Sequence, residues 1–408
     1  MVLIGACAGA PPPADPRGTA PPPAPQTAAM IADAQLSIDA LRAGKFDDAG
    51  MLATRVLDKN PRNSRAAAVR ALATYQAAGH ALIEQLTEVL DKGDALKSLD
   101  HQAGRAAWTQ FLAALEAVDR DLLTASADKD FSLELCLACW ERDWNRSGEI
   151  DDRDRLLFQI EVDAKGDALP DGDPRRRPTF RFDVGDIAWA QAMVSFQRAA
   201  VELVLGYQWS ELDKLFAWNI FSKDKPATIT IKLKDKDRVA NAHRLILAGI
   251  YHAEACRDLY LAEKDDDREW VPNPEQVNHP VPLPMDKTIY ATWTGVLRDV
   301  RTLLKSEAGI PLRGMAGLAN EQMASIMPDA YIDLGAMLTQ PKDIVIDFGD
   351  LSESTQNIEH VLRGVLGNGY KTAMTPSKLV QRLRTMRDEL DRGSDTFDKK
   401  LRYLLWLN

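Results

Sequence analysis

Apolar residues recur mostly at spacings of three and four from residue 28 onward, which is the pattern of amphipathic helices. This spacing predicts helices over 28–43, 46–58, 63–78, 81–91, 105–124, 130–142, 151–160, 186–205, 208–218, 236–263, 287–306, 353–366, 376–391 and 395–406. Strand-like alternation occurs only at 179–184, 227–233 and 343–348. We therefore expect a mainly α fold, with a helical-hairpin or multi-helix architecture and a small minor β component.

The composition excludes several classes of protein. Apolar residues make up 45% and charged residues 27% of the 408 residues, close to the averages of soluble globular proteins, which excludes general disorder and fibrous repeats. The formal net charge is −10, and no concentrated basic stretch accompanies it. Because such a surface repels phosphate backbones, we expect no nucleic-acid partner. Four cysteines are too few for a disulfide framework in a chain of this length.

Two Pro-rich segments suggest how the chain is divided. Eight of the 22 prolines fall in residues 11–25, which predicts an extended tether. A second Pro-rich stretch, 271–284, cannot be regular helix or central strand, so it is expected to be an ordered loop or a boundary. The expected segments are an N-terminus and tether over 1–27, helical hairpins over 28–95, a helical body over 96–270 and a C-terminal helical region over 271–408.

The first residues carry a possible membrane address. Ile4, Gly5, Ala6 and Cys7 resemble the lipobox of bacterial lipoproteins, in which an aliphatic residue and two small residues precede an acylated cysteine. The resemblance implies a lipid anchor on Cys7, and Ala8 after it implies delivery to the periplasmic side of the outer membrane. Only about six residues precede Cys7, fewer than a signal peptide has. Either translation begins upstream or the match is accidental.

The first helical hairpin also has a family resemblance. Leu36, Gly44, Phe46, Ala49 and Pro61 fall in the register of a tetratricopeptide repeat, which residues 30–63 resemble. The resemblance implies a turn at Gly44, a second helix closed by Pro61, and either a packing unit or a peptide groove. Residues 64–91 are expected to form a degenerate second repeat. The alternative is a plain pair of antiparallel helices.

One short run has the spacing of a metal site. Residues 143–154 read DWNRSGEIDDRD and resemble the calcium loop of EF-hand and dockerin-type proteins. The resemblance implies a sharp turn at Gly148, an apolar contact of Ile150 with the core, and helices on both sides. It implies that Ca²⁺ is held by Asp143, Asn145, Ser147, Glu149, Asp151 and Asp154. Because Asp154 replaces the usual glutamate, we expect weak affinity, about 10⁻⁴ to 10⁻³ M. The alternative is a polar turn between helices, capped by an aspartate.

Other patterns have simpler interpretations. Cys136 and Cys139 form a CxxC inside an apolar stretch without a second such pair, so buried, inert thiols are expected. The aromatic run 207–221 is expected to be core, with a ligand cleft as the alternative. No nucleophile elbow, Walker loop or dinucleotide fingerprint occurs, so we predict no catalytic residue.

Together these features predict an exported, lipid-anchored binding or assembly module of the bacterial cell envelope. It is expected to contain a structural Ca²⁺ and to bind a protein or peptide partner. The first alternative is an envelope enzyme whose cleft uses the aromatic run 207–221 and the acidic loop 163–186. A further alternative is a cytosolic helical protein with an accidental lipobox.

Overall fold

The computed structural model describes residues 27–92, 99–140, 143, 148–150, 159–163, 167–214, 228–279, 285–319, 321–347 and 355–391. Twelve α-helices and a few short strands lie within these residues, which confirms the predicted mainly α class. Among the helices of the described ranges, none combines the length and apolarity needed to cross a membrane.

The N-terminal helices form a hairpin that packs on a longer pair. Helices α1 (Ala28–Arg42) and α2 (Phe46–Lys59) are joined by a short turn, in which Gly44 has a φ of +70°. This left-handed conformation costs a glycine little, which explains its place in the turn. Helix α3 (Ser64–Lys92) then packs along α4 (His101–Ser126). The helical hairpin is as predicted, whereas its membership of the tetratricopeptide family stays a prediction.

Helix α3 corrects one expectation. It runs unbroken through Gly79, so the predicted separate helices over 63–78 and 81–91 are wrong, and residues 64–91 do not form a second hairpin. A glycine inside a helix costs only about 1 kcal/mol relative to alanine. Packing along α4 outweighs that cost. In the first hairpin, Phe46 and Ala49 are buried, but Leu36 is 69% exposed.

Two long helices form the centre of the molecule. Helix α5 (Val184–Gly206) packs along α6 (Lys236–Ala262) on one side and against α4 on another. A capping box begins α5: the Asp183 carboxylate accepts hydrogen bonds from the backbone N–H groups of Gly185 and Asp186, and Asp186 accepts one in return from the Asp183 N–H. Such caps satisfy N–H groups that the helix itself leaves without partners.

A two-stranded antiparallel ribbon lies beside α5. Strand β1 (Ser132–Leu135) pairs with β2 (Phe180–Asp183), with Leu133 opposite Phe182. The helix predicted over 130–142 is therefore wrong, whereas the strand predicted at 179–184 is confirmed. The apolar residues of β1 alternate with polar ones and its leucines are buried, which is the period of a strand rather than a helix.

Two three-stranded antiparallel sheets complete the β component. The first has the order β3–β4–β7 and the second the order β5–β6–β8. Their strands are β3 (Tyr207–Gln208), β4 (Thr228–Leu233), β5 (Ile310–Pro311), β6 (Tyr331–Ile332), β7 (Ile344–Asp347) and β8 (Tyr370–Lys371). The strands predicted at 227–233 and 343–348 are confirmed and pair with each other. The helix predicted over 208–218 is wrong at its start, because β3 is followed by a 3₁₀ turn at Ser210–Leu212.

The remaining helices are mostly short. They are α7 (Lys287–Leu304), α8 (Leu312–Ala319), α9 (Glu321–Ile326), α10 (Leu334–Thr339), α11 (Thr355–Leu366) and α12 (Leu379–Asp391). Helix α12 packs on α7, where the Arg382 Nε lies 2.7 Å from an Asp299 carboxylate oxygen. Helices α8 to α10 were not predicted. Of the helix predicted over 151–160, Gln159 and Ile160 are not helical and the rest lies outside the described residues, as does the helix predicted over 395–406. The predicted domain limits stay predictions.

Candidate functional site

A largely apolar cleft opens between helices α3, α4 and α5 and the ribbon β1–β2. Its volume is about 430 Å³, within the range of about 300–1,000 Å³ typical of small-molecule sites. It is lined by Ala68, Ala71, Leu72, Tyr75, Val118, Leu122, Phe131, Leu133, Leu135, Leu137, Phe182, Asp186, Ile187, Trp189, Ala190, Met193, Val194, Gln197 and Trp270. Apart from its aromatic side chains, only Asp186 and Gln197 in this lining carry polar side-chain atoms.

The periodicity of the sequence creates this lining. On α3, Ala68, Leu72 and Tyr75 recur at spacings of four and three, so they lie on one face of the helix. On β1, Leu133 and Leu135 point to the same side, because alternate residues of a strand share a face. The small alanine side chains on α3 and α5 leave room that larger residues would fill.

Gln197 is part of the cleft wall, and its amide oxygen lacks a hydrogen-bond partner among the described residues. Its Nε2 donates a hydrogen bond to the Tyr75 hydroxyl at 2.7 Å. Its Oε1 is shielded from solvent and accepts no hydrogen bond from the described residues. An unsatisfied buried polar atom costs about 1–3 kcal/mol. A hydroxyl or amide N–H that reached this shielded atom would remove that cost.

Asp186 lies on the same face of α5 as Gln197, near the beginning of the helix, and its carboxyl group also lines the cleft. It accepts hydrogen bonds from the Asp183 N–H at 2.8 Å and from the Tyr260 hydroxyl at 2.7 Å. Burial raises the pKa of Asp186 well above its ordinary value, and the nearby Asp183 charge adds to this. The neutral, protonated form is therefore favoured, and the polar groups of the cleft suit uncharged ligands.

A cluster of carboxyl groups lies beside Asp186. Burial, together with a hydrogen bond with the Asp183 side chain, raises the pKa of Glu263 to about 9. Burial also raises the pKa of Glu269 to about 7, and the residue is only 3% exposed. Protons held between such groups relieve the repulsion that several buried carboxylates would otherwise create.

Two of these carboxyl groups and the neighbouring carboxyl group of Asp265 could together hold a metal ion. One carboxylate oxygen from each of Glu263, Asp265 and Glu269 lies within 4.8 Å of the others. The guanidinium of Arg181 already pairs with Asp265 and with Asp267, at 2.9 Å in each case. Carboxylate oxygens suit a hard divalent cation. Nothing in this arrangement selects calcium.

The predicted calcium loop is described in part. Gly148 has a φ of +88°, and its N–H donates a hydrogen bond to Asp143 Oδ2 at 2.8 Å. The first ligand position and the glycine of the loop are thus arranged as a tight turn requires. Glu149 follows in an exposed bend. The other predicted ligands, Asn145, Ser147, Asp151 and Asp154, lie outside the described residues.

Two expectations about this loop are wrong. Ile150 does not fix the loop against the core, because it is 40% exposed. The segment that enters the loop is not a helix but strand β1 followed by a 3₁₀ turn at Leu137–Cys139. A loop entered from a strand differs from the helix–loop–helix arrangement of EF-hands. Calcium binding at this loop stays a prediction.

The cysteines differ from expectation as well. Cys136 and Cys139 form a disulfide, and Cys139 is exposed, so the prediction of buried, inert thiols is wrong for this pair. Cys256 is a free, fully buried thiol, and burial raises its pKa well above the ordinary value. The predicted lipidation site, Cys7, lies outside the described residues.

Where the structure describes them, the aromatic run and the acidic loop line different cavities. Tyr207 and Trp209 line a second cavity of about 440 Å³, next to the hydrogen-bonded pair His101 and Asp213. Asp186, at the end of the acidic loop 163–186, lines the first cleft instead. The aromatic residues after residue 214 lie outside the described part of the chain. The two halves of the alternative enzymatic site are therefore separate where the structure describes them.

Comparison with known proteins identified no relative of the chain. No protein-family model matches the chain, and neither the curated proteins nor the solved structures gave a significant match. Any functional inference must therefore start from the cleft and the groups around it.

Proposed function

We propose that the chain is a binding module of the bacterial cell envelope that holds a small, neutral, apolar ligand in the cleft between α3, α4 and α5. The observation that carries this proposal is the cleft itself, with about 430 Å³ of space, an almost entirely apolar lining and one buried acceptor without a partner. Pockets with an apolar lining and a few placed polar groups are typical ligand sites.

The polar groups restrict the class of ligand. Gln197 Oε1 requires a donor, so the ligand should carry a hydroxyl or amide N–H next to an aliphatic or aromatic body. An anionic head group is disfavoured, because the cleft lining contains no lysine or arginine to pair with the charge. A long-chain alcohol or an acyl amide has the required chemistry, whereas a fatty-acid carboxylate does not.

Export and anchoring belong to the same proposal. The lipobox-like residues around Cys7 would tether the module through the Pro-rich segment. The Cys136–Cys139 disulfide supports export, since disulfides persist mainly in oxidising compartments. The Asp143–Gly148 hydrogen bond supports a structural Ca²⁺ in the loop 143–154, held by the ligands named above. The protein or peptide partner remains a prediction from the sequence.

The test is binding of an uncharged fluorescent apolar probe, N-phenylnaphthylamine, to the full chain. The substitution Ala190→Phe fills the cleft, and Ala200→Phe places the same side chain at an exposed position of the same helix. We expect saturable binding that Ala190→Phe weakens about tenfold or more. The phenyl ring takes up space that the probe would fill, and each Å² of apolar surface that the probe no longer buries lowers the binding free energy by about 25 cal/mol. Equal binding by both variants, or no binding by the unmodified chain, would contradict the proposal.

A further inference from the structure

The Cys136–Cys139 disulfide closes a single turn in which only Cys139 is exposed. It joins two cysteines whose Cα atoms are 5.3 Å apart, at the ends of the 3₁₀ turn Leu137–Cys139. Cys139 is exposed and Cys136 is partly buried, so the two sulfur atoms differ in accessibility. Exposed disulfides are more often labile, regulatory or catalytic than buried structural ones.

The turn is held in place by contacts that do not involve sulfur. Before it, Leu135 is a buried residue of β1. After it, the Trp140 Nε1 donates a hydrogen bond to the Leu41 carbonyl at 2.8 Å, and its ring meets Phe46 edge to face at 5.1 Å between centroids. Because both ends are anchored in the core, the fold can keep the two cysteines close after the S–S bond is broken.

The surroundings also suit the reduced form. The Arg177 carbonyl oxygen lies 3.5 Å from Cys136 Sγ, where it can accept a hydrogen bond from the thiol. It belongs to a turn of three consecutive arginines. Arg175 pairs with Asp173, and Arg176 pairs with Asp171. Arg177 is exposed and forms no ion pair with the carboxylates of the described ranges.

We propose that Cys136 and Cys139 form an exchangeable redox pair, which oxidises a dithiol of a partner protein or small molecule. A thiolate of the partner attacks the exposed Cys139 Sγ, forming a mixed disulfide. The S–S bond breaks, and its electron pair leaves on Cys136, which takes up a proton from water. The second thiolate of the partner then attacks the partner sulfur that is bonded to Cys139 in the mixed disulfide. Cys139 leaves and takes up a proton to become a thiol. The partner dithiol is thereby oxidised to a disulfide, and the pair is reduced to two thiols. This activity does not depend on ligand binding in the cleft.

The first experiment asks whether the pair opens in the folded protein. The full chain carrying Cys7→Ser, which removes the cysteine of the lipobox-like segment, is treated with dithiothreitol. Its melting curve is compared with that of the oxidised form. We expect complete reduction with native secondary structure retained. Reduction only on unfolding would make the disulfide structural and overturn the proposal.

The second experiment identifies the attacked sulfur. After reduction, the chain is mixed with dithionitrobenzoate, which forms a coloured mixed disulfide with accessible thiols. We expect Cys136→Ser to keep one adduct on Cys139, and Cys139→Ser to react about tenfold more slowly because its remaining thiol is less accessible. The intact pair should release a second coloured equivalent as the disulfide closes again. Cys256→Ser is the matched control and should change nothing, since that thiol is fully buried. A stable double adduct on the intact pair, or equal rates for the two single variants, would contradict the assigned roles.

Discussion

The Gln197 amide nitrogen donates a hydrogen bond to the Tyr75 hydroxyl at 2.7 Å, which links α5 to α3 at the cleft. The bond holds the amide in one orientation and leaves its oxygen without a partner in the described part of the chain. The wall of the cleft therefore contains an unsatisfied acceptor that is shielded from solvent. A hydrogen-bond donor of a ligand reaches it only if this wall rearranges.

Replacing that acceptor should change ligand preference. We predict that the intact chain binds octanol more tightly than octyl methyl ether, which lacks a donor, and that Gln197→Leu reduces this preference about two- to tenfold. That range corresponds to one hydrogen bond of about 0.5–1.5 kcal/mol. Competition against N-phenylnaphthylamine measures both affinities. Gln102→Leu, at an exposed position of α4, should leave the preference unchanged. An undiminished preference in Gln197→Leu would show that the amide oxygen does not contact the ligand.

The buried carboxyl cluster should make stability depend on pH. Burial raises the pKa of Glu269 from 4.5 to about 7 and that of Glu263 to about 9. The folded chain therefore binds protons more tightly than the unfolded chain, and the free energy of unfolding falls as the pH rises through these values. Each unit by which a folded-state pKa is raised corresponds to a loss of about 1.4 kcal/mol in the free energy of unfolding as the pH rises from the unfolded-state pKa to the folded-state pKa.

Thermal unfolding from about pH 5 to pH 9, with a chelator present, measures this effect. We predict that Glu269→Gln flattens the fall between about pH 5 and pH 7, because the amide cannot ionise. Glu275→Gln, on an exposed part of the same loop, is the control. A melting temperature that rises with pH over this range would contradict the assignment.

Calcium should stabilise the chain through the loop 143–154. We predict that millimolar Ca²⁺, and not Mg²⁺, raises the melting temperature, because an ion that binds only the folded state stabilises it by mass action. Asp143→Ala should abolish the shift. That change also removes the hydrogen bond to Gly148, so Asp154→Ala provides an independent test at another predicted ligand. If Asp265→Asn removes the shift instead, the ion occupies the acidic cluster and not the loop.

Two glycines should respond in opposite directions to substitution by alanine. Gly44 has a φ of +70° and a Cβ there would lie 3.6 Å from the Trp140 ring, so Gly44→Ala should destabilise the chain by about 1–2 kcal/mol. A Cβ at Gly79 within α3 meets nothing within 4 Å, so Gly79→Ala should stabilise it by about 1 kcal/mol. Urea unfolding curves measure both changes. Destabilisation by Gly79→Ala would contradict an unbroken, open-faced α3 at this point.

Much of the helical fold followed from apolar spacing, whereas several local features did not. The helices α1, α2, α4, α5 and α6 were predicted close to their observed bounds. The separation of apolar and polar faces is clear in α2 and α4 and weak in α1, α5 and α6. Strand β1 was mistaken for helix because its four residues sit within a longer apolar run, where short strands and helices resemble each other. Helices α8 to α10 are too short to establish a period.

The candidate site was less predictable for a different reason. Gln197 and Asp186 are 11 residues apart on α5, and their importance comes from Tyr75 and Tyr260, which lie far away in sequence. Nothing local marks a glutamine whose oxygen lacks a partner. The CxxC pair is recognisable in the sequence. The exposure of Cys139 depends on the turn that follows β1, and the apolar spacing predicted a helix there instead. Contacts between distant segments therefore define the cleft.

The most direct test of the central claim is calorimetric titration of the full chain with octanol at several temperatures. Burial of apolar surface gives a negative heat-capacity change on binding. We predict one octanol bound per chain, a negative heat-capacity change, and loss of both in Ala190→Phe but not in Ala200→Phe. Absence of saturable binding, or the same binding in Ala190→Phe, would show that the cleft between α3, α4 and α5 is not a ligand site.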